Sequence, residues 1–150
     1  MSTTRINLVA VSLVASVTAL ALLSPALAAT QGQAKNGAFK TPSGNIVCGY
    51  GGAAIECGIR SGLKPAPKNT CTDLDYTNKR VSLTATGRAV PVTCAGDPGP
   101  FLVAANARVL GYGTSWRGRG ITCTSRRIGL TCKNRKGHGF FLTRAHWRAF

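Results

Sequence analysis

Two stretches of the chain repeat one pattern of apolar and polar positions, and it is a strand pattern. Asn45 to Cys57 and Gly120 to Cys132 both read Ile-x-Cys, eight residues, Cys. In each, a turn-rich middle separates two short segments with alternating apolar residues, which predicts a β-hairpin with a cysteine on each arm. A two-residue type II′ turn at Gly52-Ala53 sets Gly51 opposite Ala54, Tyr50 opposite Ile55, Cys48 opposite Cys57 and Ile46 opposite Ile59. Cys48 and Cys57 then occupy a non-hydrogen-bonded pair, where Cα atoms approach to about 4.5 Å and a disulfide can close. The second stretch gives the same count for Cys123 and Cys132, with Ser125 opposite Leu130. Arg127-Ile128 is poor primed-turn chemistry, and a four-residue loop from Arg126 to Gly129 with Gly129 left-handed keeps the same register.

The rest of the pattern is also short and broken. Thr41-Pro42-Ser43-Gly44 predicts a type I turn feeding the first cysteine strand. Arg80–Ala85 and Arg88–Val92 predict a third hairpin around Thr86-Gly87, with Leu83 opposite Val90, Val81 opposite Val92, and Pro91 tolerated on an edge strand. Gly96 to Pro100 reads as a rigid loop, Phe101 to Val103 as a short strand or turn, and Ala107 to Leu110 as a strand. At the end of the chain, Thr143 suits an N-cap, and Trp147 and Phe150 lie three apart on one helical face. The expected fold is mostly β: a small, disulfide-stapled antiparallel sandwich or barrel with a short C-terminal helical turn.

The N-terminus reads differently. Arg5, the apolar run Ile6 to Leu23, Pro25 and Ala26-Leu27-Ala28 form a signal peptide with an A-x-A cleavage site at residues 1–28. The run is nearly long enough to span a bilayer, but Asn7, Ser12, Ser16 and Thr18 dilute it and no basic stop-transfer cluster follows. Cleavage leaves no transmembrane span. It leaves a small polar leader, residues 29–38, and one cysteine-rich β domain, residues 39–150. Six cysteines in an exported chain imply three disulfides, most simply Cys48–Cys57, Cys71–Cys94 and Cys123–Cys132. Loop entropy assigns about 2.7 kcal/mol to each ten-residue loop and about 3.4 kcal/mol to the middle one. No metal site is expected, since no Cys-x-x-Cys pair occurs and His138 and His146 have no zinc-finger spacing.

Charge changes the picture most. The chain has 19 Lys and Arg against four acids, a net charge of +15. Glu56, Asp73, Asp75 and Asp97 all precede residue 98, whereas Arg108, Arg117, Arg119, Arg126, Arg127, Lys133, Arg135, Lys136, Arg144 and Arg148 follow it. Such a surface attracts anionic polymers or surfaces: wall polymers, lipid headgroups or nucleic acid. The bland reading is charge that serves solubility. Arg126 and Arg127, at a hairpin tip, are the first contact candidates, followed by Arg117, Arg119, Lys133, Arg135 and Lys136. Arg117-Gly118-Arg119-Gly120 follows Trp116, a pairing found on nucleic-acid surfaces, although Trp116 suits a core position.

Catalytic chemistry has thin support. His138 and His146 with Lys133 or Lys136, or either histidine with Glu56, supply the groups for phosphodiester cleavage by a small secreted ribonuclease-like enzyme. No Gly-x-Ser-x-Gly and no phosphate loop occur, so no cofactor is expected.

An ordered string of motifs carries a resemblance. Phe39-Lys40-Thr41-Pro42-Ser43-Gly44-Asn45-Ile46-Val47-Cys48 is followed by Cys94-Ala95-Gly96-Asp97 and Val109-Leu110-Gly111-Tyr112-Gly113. Ile121-Thr122-Cys123 then leads to Gly129-Leu130-Thr131-Cys132-Lys133-Asn134 and Gly137-His138-Gly139-Phe140. Together they resemble a family of small exported bacterial domains, common in actinobacteria, whose function is unassigned. The string departs from the family at Asp73-Leu74-Asp75-Tyr76, where an Asp-Trp-type motif is expected. The resemblance implies export and a single domain and supplies no catalytic residues. The expectation is a secreted or envelope-associated binder of anionic polymers, with a protein-partner module (an inhibitor or host-factor binder) and the phosphodiesterase as alternatives.

Overall fold

The computed structural model describes residues 37–68, 71 and 74–150. The expected signal peptide, most of the leader and Asp73 lie outside these residues. The chain forms two sheets. The first contains β1 (Phe39–Lys40), β2 (Ile46–Gly51), β3 (Ala54–Ile59), β4 (Arg80–Thr84), β5 (Val90–Val92) and β6 (Arg108–Val109), in the order β5-β4-β3-β2-β1-β6. The second contains β7 (Ser115–Gly118), β8 (Ile121–Arg126), β9 (Gly129–Asn134), β10 (Gly139–Leu142) and β11 (Trp147–Ala149), in the order β11-β10-β9-β8-β7. Neighbours are antiparallel except β6, which runs parallel to β1. Both sheets have open edges and pack across one core, as a sandwich and not a closed barrel.

The repeated cysteine hairpins are the centres of the two sheets. β2 pairs β3 with Cys48 opposite Cys57, Tyr50 opposite Ile55 and Gly51 opposite Ala54. β8 pairs β9 with Cys123 opposite Cys132 and Ser125 opposite Leu130. All three expected disulfides form, and the two hairpin pairs have Cα atoms 4.1 and 4.0 Å apart, the close approach of a non-hydrogen-bonded pair. Gly52 takes φ 63° with no positive φ at Ala53, as a type II′ turn requires. The second hairpin closes with the two-residue turn Arg127-Ile128 and not the expected four-residue loop, since Arg126 pairs directly with Gly129, which sits at φ 146°. Period-two alternation then sorts each strand. Ile46, Cys48, Ile55, Cys57, Ile59, Val81 and Leu83 meet Trp116, Ile121, Cys123, Leu130, Cys132, Phe140 and Leu142 in the core. Trp116 is buried there, its ring 5.4 Å from those of Phe39 and Tyr50.

Three local expectations are corrected. The C-terminal helical turn is a strand: β11 pairs with β10, placing Trp147 opposite Leu142 and Arg148 opposite Phe141. The Thr143 hydroxyl does accept from the backbone N–H of Ala145 and His146, as a cap would, but it closes a turn that returns the chain onto the open edge of β10. The third hairpin is slipped by one residue, with Val81 opposite Pro91 and Ser82 opposite Val90, so Val90 faces solvent. The loop is widened because Gly87 N–H donates to Thr84 Oγ1 and Asn134, from the other sheet, binds the carbonyls of Thr84 and Gly87. Pro91 nonetheless lies on an edge strand, as expected. Phe101 to Val103, expected as a short strand or turn, belongs to a 3-10 helix, Gly99–Val103, laid on the back of the first sheet. Gly58 makes room for it: a Cβ there would lie 2.5 Å from Phe101 Cζ.

Candidate anion-binding site

The register decides which cations of the second sheet reach solvent. Trp116, Ile121, Cys123, Leu130, Cys132, Phe140 and Leu142 point inward and are buried. The alternate positions therefore face out. They include Arg117, Arg126, Lys133 and Arg148, all exposed, interleaved with Ser115, Thr122, Thr124, Thr131 and Phe141, all half-buried. Arg127 is exposed at the β8–β9 turn, its guanidinium 5.3 Å from the Tyr112 ring centre. Arg135 and Lys136 form the β9–β10 turn, which Asn134 organises by accepting from the N–H of Lys136 and His138. Arg119 has another task. At φ 46° in the β7–β8 turn, it donates to Gly52 O at 2.7 Å and lies 4.4 Å over the Tyr50 ring, joining that turn to the β2–β3 hairpin of the first sheet. Burial pushes the Tyr50 phenol above its ordinary pKa, against the opposing pull of Arg119.

Two clefts lie where the rims of the sheets meet. One, of about 400 Å³, is lined by Arg126, Arg127 and Arg144 with Thr41, Ser43, Asn45, Tyr112, Ile128 and Thr143 among others. The other, of about 570 Å³, is lined by Lys40, Arg60 and Arg144 with Ser43, Gly44, Asn45, Ala104 and Ala105 among others. Ser43, Asn45 and Arg144 line both, so the clefts adjoin. Five cations line the pair, and among the described residues no acid does. Lys40 Nζ donates to Ala104 O at 3.0 Å and Arg60 Nε to Gly44 O at 3.2 Å. Carbonyl partners hold these cations in place without cancelling their charge. Arg126 ends the outward row of the second sheet and also lines the first cleft, which makes face and clefts one basic surface.

Glu56 and Asp97 lie elsewhere. On the back of the first sheet Arg80, nearly buried, donates to Glu56 Oε2 at 3.2 Å and to both Asp97 oxygens at 3.1 and 3.0 Å. These bonds hold the Asp97 carboxyl below its usual range, assisted by the N–H of Gly99. Glu56 is thus engaged with Arg80, in the sheet opposite both histidines. His138 stands at the start of β10, and His146 pairs with Thr143 beyond its end. The Glu56 carboxylate is bound to Arg80, and the His146 ring lies 5.4 Å from that of Phe141.

Arg126 and Arg127 were legible as a charged hairpin tip. Lys40, Arg60, Tyr112 and Arg144 were missed as partners because they arrive from four separate segments. For Arg148, the strand alternation of Trp147–Ala149 was the available signal.

A family model matches residues 16–150, and its description is Family of unknown function (DUF6636). No curated protein matches the chain. No solved structure matches it. Among the described residues no helix is long and apolar enough to cross a membrane.

Proposed function

The chain belongs to this family of unknown function, and from its surface we propose that it is an exported protein that binds anionic polymers of the envelope or extracellular space. The observation carrying this reading is the pair of adjoining clefts with five cations and no acid among the described residues. A long, open, one-signed groove suits a chain of repeated anions better than a single small ligand, because each added anion meets another cation without an internal counter-charge. Export is supported by three disulfides, which persist in oxidising compartments, together with the signal-peptide pattern of residues 1–28. Binding is favoured over turnover because the clefts are open to water and neither histidine lines them.

The test uses inorganic polyphosphate and a titration of affinity against salt. Each neutralised phosphate of a flexible single chain contributes a slope of about −0.7 in log K against log salt. Replacing Arg126, Arg127 and Arg144 together by serine is expected to flatten the slope by about 2 and weaken binding by tenfold or more at low salt. An unchanged slope would remove the clefts from the binding surface.

A further inference from the structure

The outward face of the second sheet carries more than charge. Phe141 lies over Gly129: a Cβ on Gly129 would sit 2.8 and 2.9 Å from two atoms of the ring. Phe150 lies over Gly139 in the same way, its ring atoms 2.8 and 2.9 Å from the corresponding point. Both glycines occupy outward positions, since their neighbours Leu130 and Phe140 point into the core. Each ring is therefore laid on backbone where a side chain would have propped it away. Between them Arg148 holds its guanidinium 5.9 Å from the Phe141 centre and 5.4 Å from that of Phe150, and the His146 ring lies 5.4 Å from Phe141. Lys133, opposite Gly139, and Arg126, opposite Gly129, set a cation beside each glycine-and-ring unit.

Resting on the proposed polyanion reading, we infer that this face is a stacking platform for single-stranded nucleic acid, with Phe141 and Phe150 receiving unpaired bases and Arg126, Arg148 and Lys133 facing phosphates. A polymer of phosphate alone uses only the cations. A strand with bases uses the rings too, because every base presents a π-face and needs no particular sequence to stack. A duplex hides those faces and gains nothing. Trp116, the aromatic residue that the Arg-Gly-Arg segment brings to mind, is buried and takes no part.

The experiment compares labelled oligothymidylate with inorganic polyphosphate of matched charge, on the oxidised protein and on Phe141→Leu, Phe150→Leu and the corresponding Tyr variants. Each Leu variant is expected to weaken oligothymidylate about tenfold while leaving polyphosphate within about twofold, and the Tyr variants to retain parental affinity for both. A halogenated-uracil oligonucleotide irradiated with the parent protein should crosslink to Phe141 or Phe150, a readout independent of whether any variant folds. Equal binding of both probes by the parent with crosslinks confined to other residues, or Leu variants that bind oligothymidylate as the parent does, would overturn the platform and leave the polyanion reading standing. A parent that ignores polyphosphate but binds oligothymidylate through the rings would overturn the polyanion reading alone. Failure to bind either probe would overturn both.

Discussion

Asn134 is a buried polar link between the sheets, and its removal should cost far more than the loss of a surface amide. Its side chain is buried and saturated. Nδ2 donates to Thr84 O at 2.9 Å and Gly87 O at 2.7 Å, across the sandwich, while Oδ1 accepts from the N–H of Lys136 at 3.0 Å and His138 at 3.1 Å. At about 1 kcal/mol net per bond, Asn134→Ala forfeits about 4 kcal/mol, and about 1 kcal/mol returns because no side-chain rotor remains to be ordered. The expected loss of about 3 kcal/mol corresponds to a fall of about 1.5 M in the urea midpoint, followed by tryptophan fluorescence with disulfides intact. Asn134→Asp separates the two halves of the role. It keeps the acceptor side, but turns a carboxylate oxygen toward two carbonyls. That carboxyl should have a folded pKa above its unfolded value, so the stability it contributes is present at low pH and lost as pH rises through the folded pKa. The variant should be severely weakened at neutral pH and recover relative to the parent toward pH 4. An alanine cost below about 1 kcal/mol, or an aspartate deficit independent of pH, would refute the assignment of Asn134 as the link.

Two further outcomes test the back of the first sheet. Gly58→Ala drives a Cβ into the Phe101 ring and should cost about 2 kcal/mol in the parent, but in a Phe101→Ala background it should be neutral or stabilising by a few tenths; additivity within about 0.5 kcal/mol in urea melts would mean that the 3-10 helix does not rest on Gly58. Because Arg80 lowers the Asp97 pKa from an ordinary 3.8, the stability it contributes is complete above about pH 4 and fades as pH falls through the lower folded value. The urea midpoint of the parent should therefore drop more steeply below pH 4 than that of Asp97→Asn, and parallel curves would contradict the clasp.

How far the fold was legible depended on whether the deciding contacts were local. The β2–β3 and β8–β9 registers followed from counting because a turn fixed the origin and the cysteines had to meet at a close pair. The third hairpin obeyed no such count. Its loop is held by Asn134, 47 and 50 residues away, and one extra turn residue sends Val90 outward. The tail failed for a related reason. A threonine hydroxyl that accepts two backbone N–H groups serves a helix start and a strand turn equally well, and only the unpaired edge of β10 settles which. The candidate site shows the same division: Arg126 and Arg127 are neighbours in the chain, whereas Lys40, Arg60 and Arg144 become neighbours only once both sheets exist.

The distribution of charge after folding bears on what the basicity is for. A charge serving solubility alone needs no segregation, since scattered cations and acids keep molecules apart equally well. Here Glu56 and Asp97 are drawn onto Arg80 behind the first sheet, where they share its guanidinium and touch none of the cleft cations. From Ser115 to Ala149 no acid interrupts the second sheet or its turns. Field lines from Arg126, Arg127, Lys133 and Arg144 therefore add instead of closing on acids of the second sheet, which is the arrangement that draws a polyanion from a distance and makes its capture steeply salt-dependent. Moving one acid into that field, as in Thr124→Glu, changes the net charge by a single unit, yet should depress polyphosphate binding more than the same change made at exposed Thr84 on the first sheet.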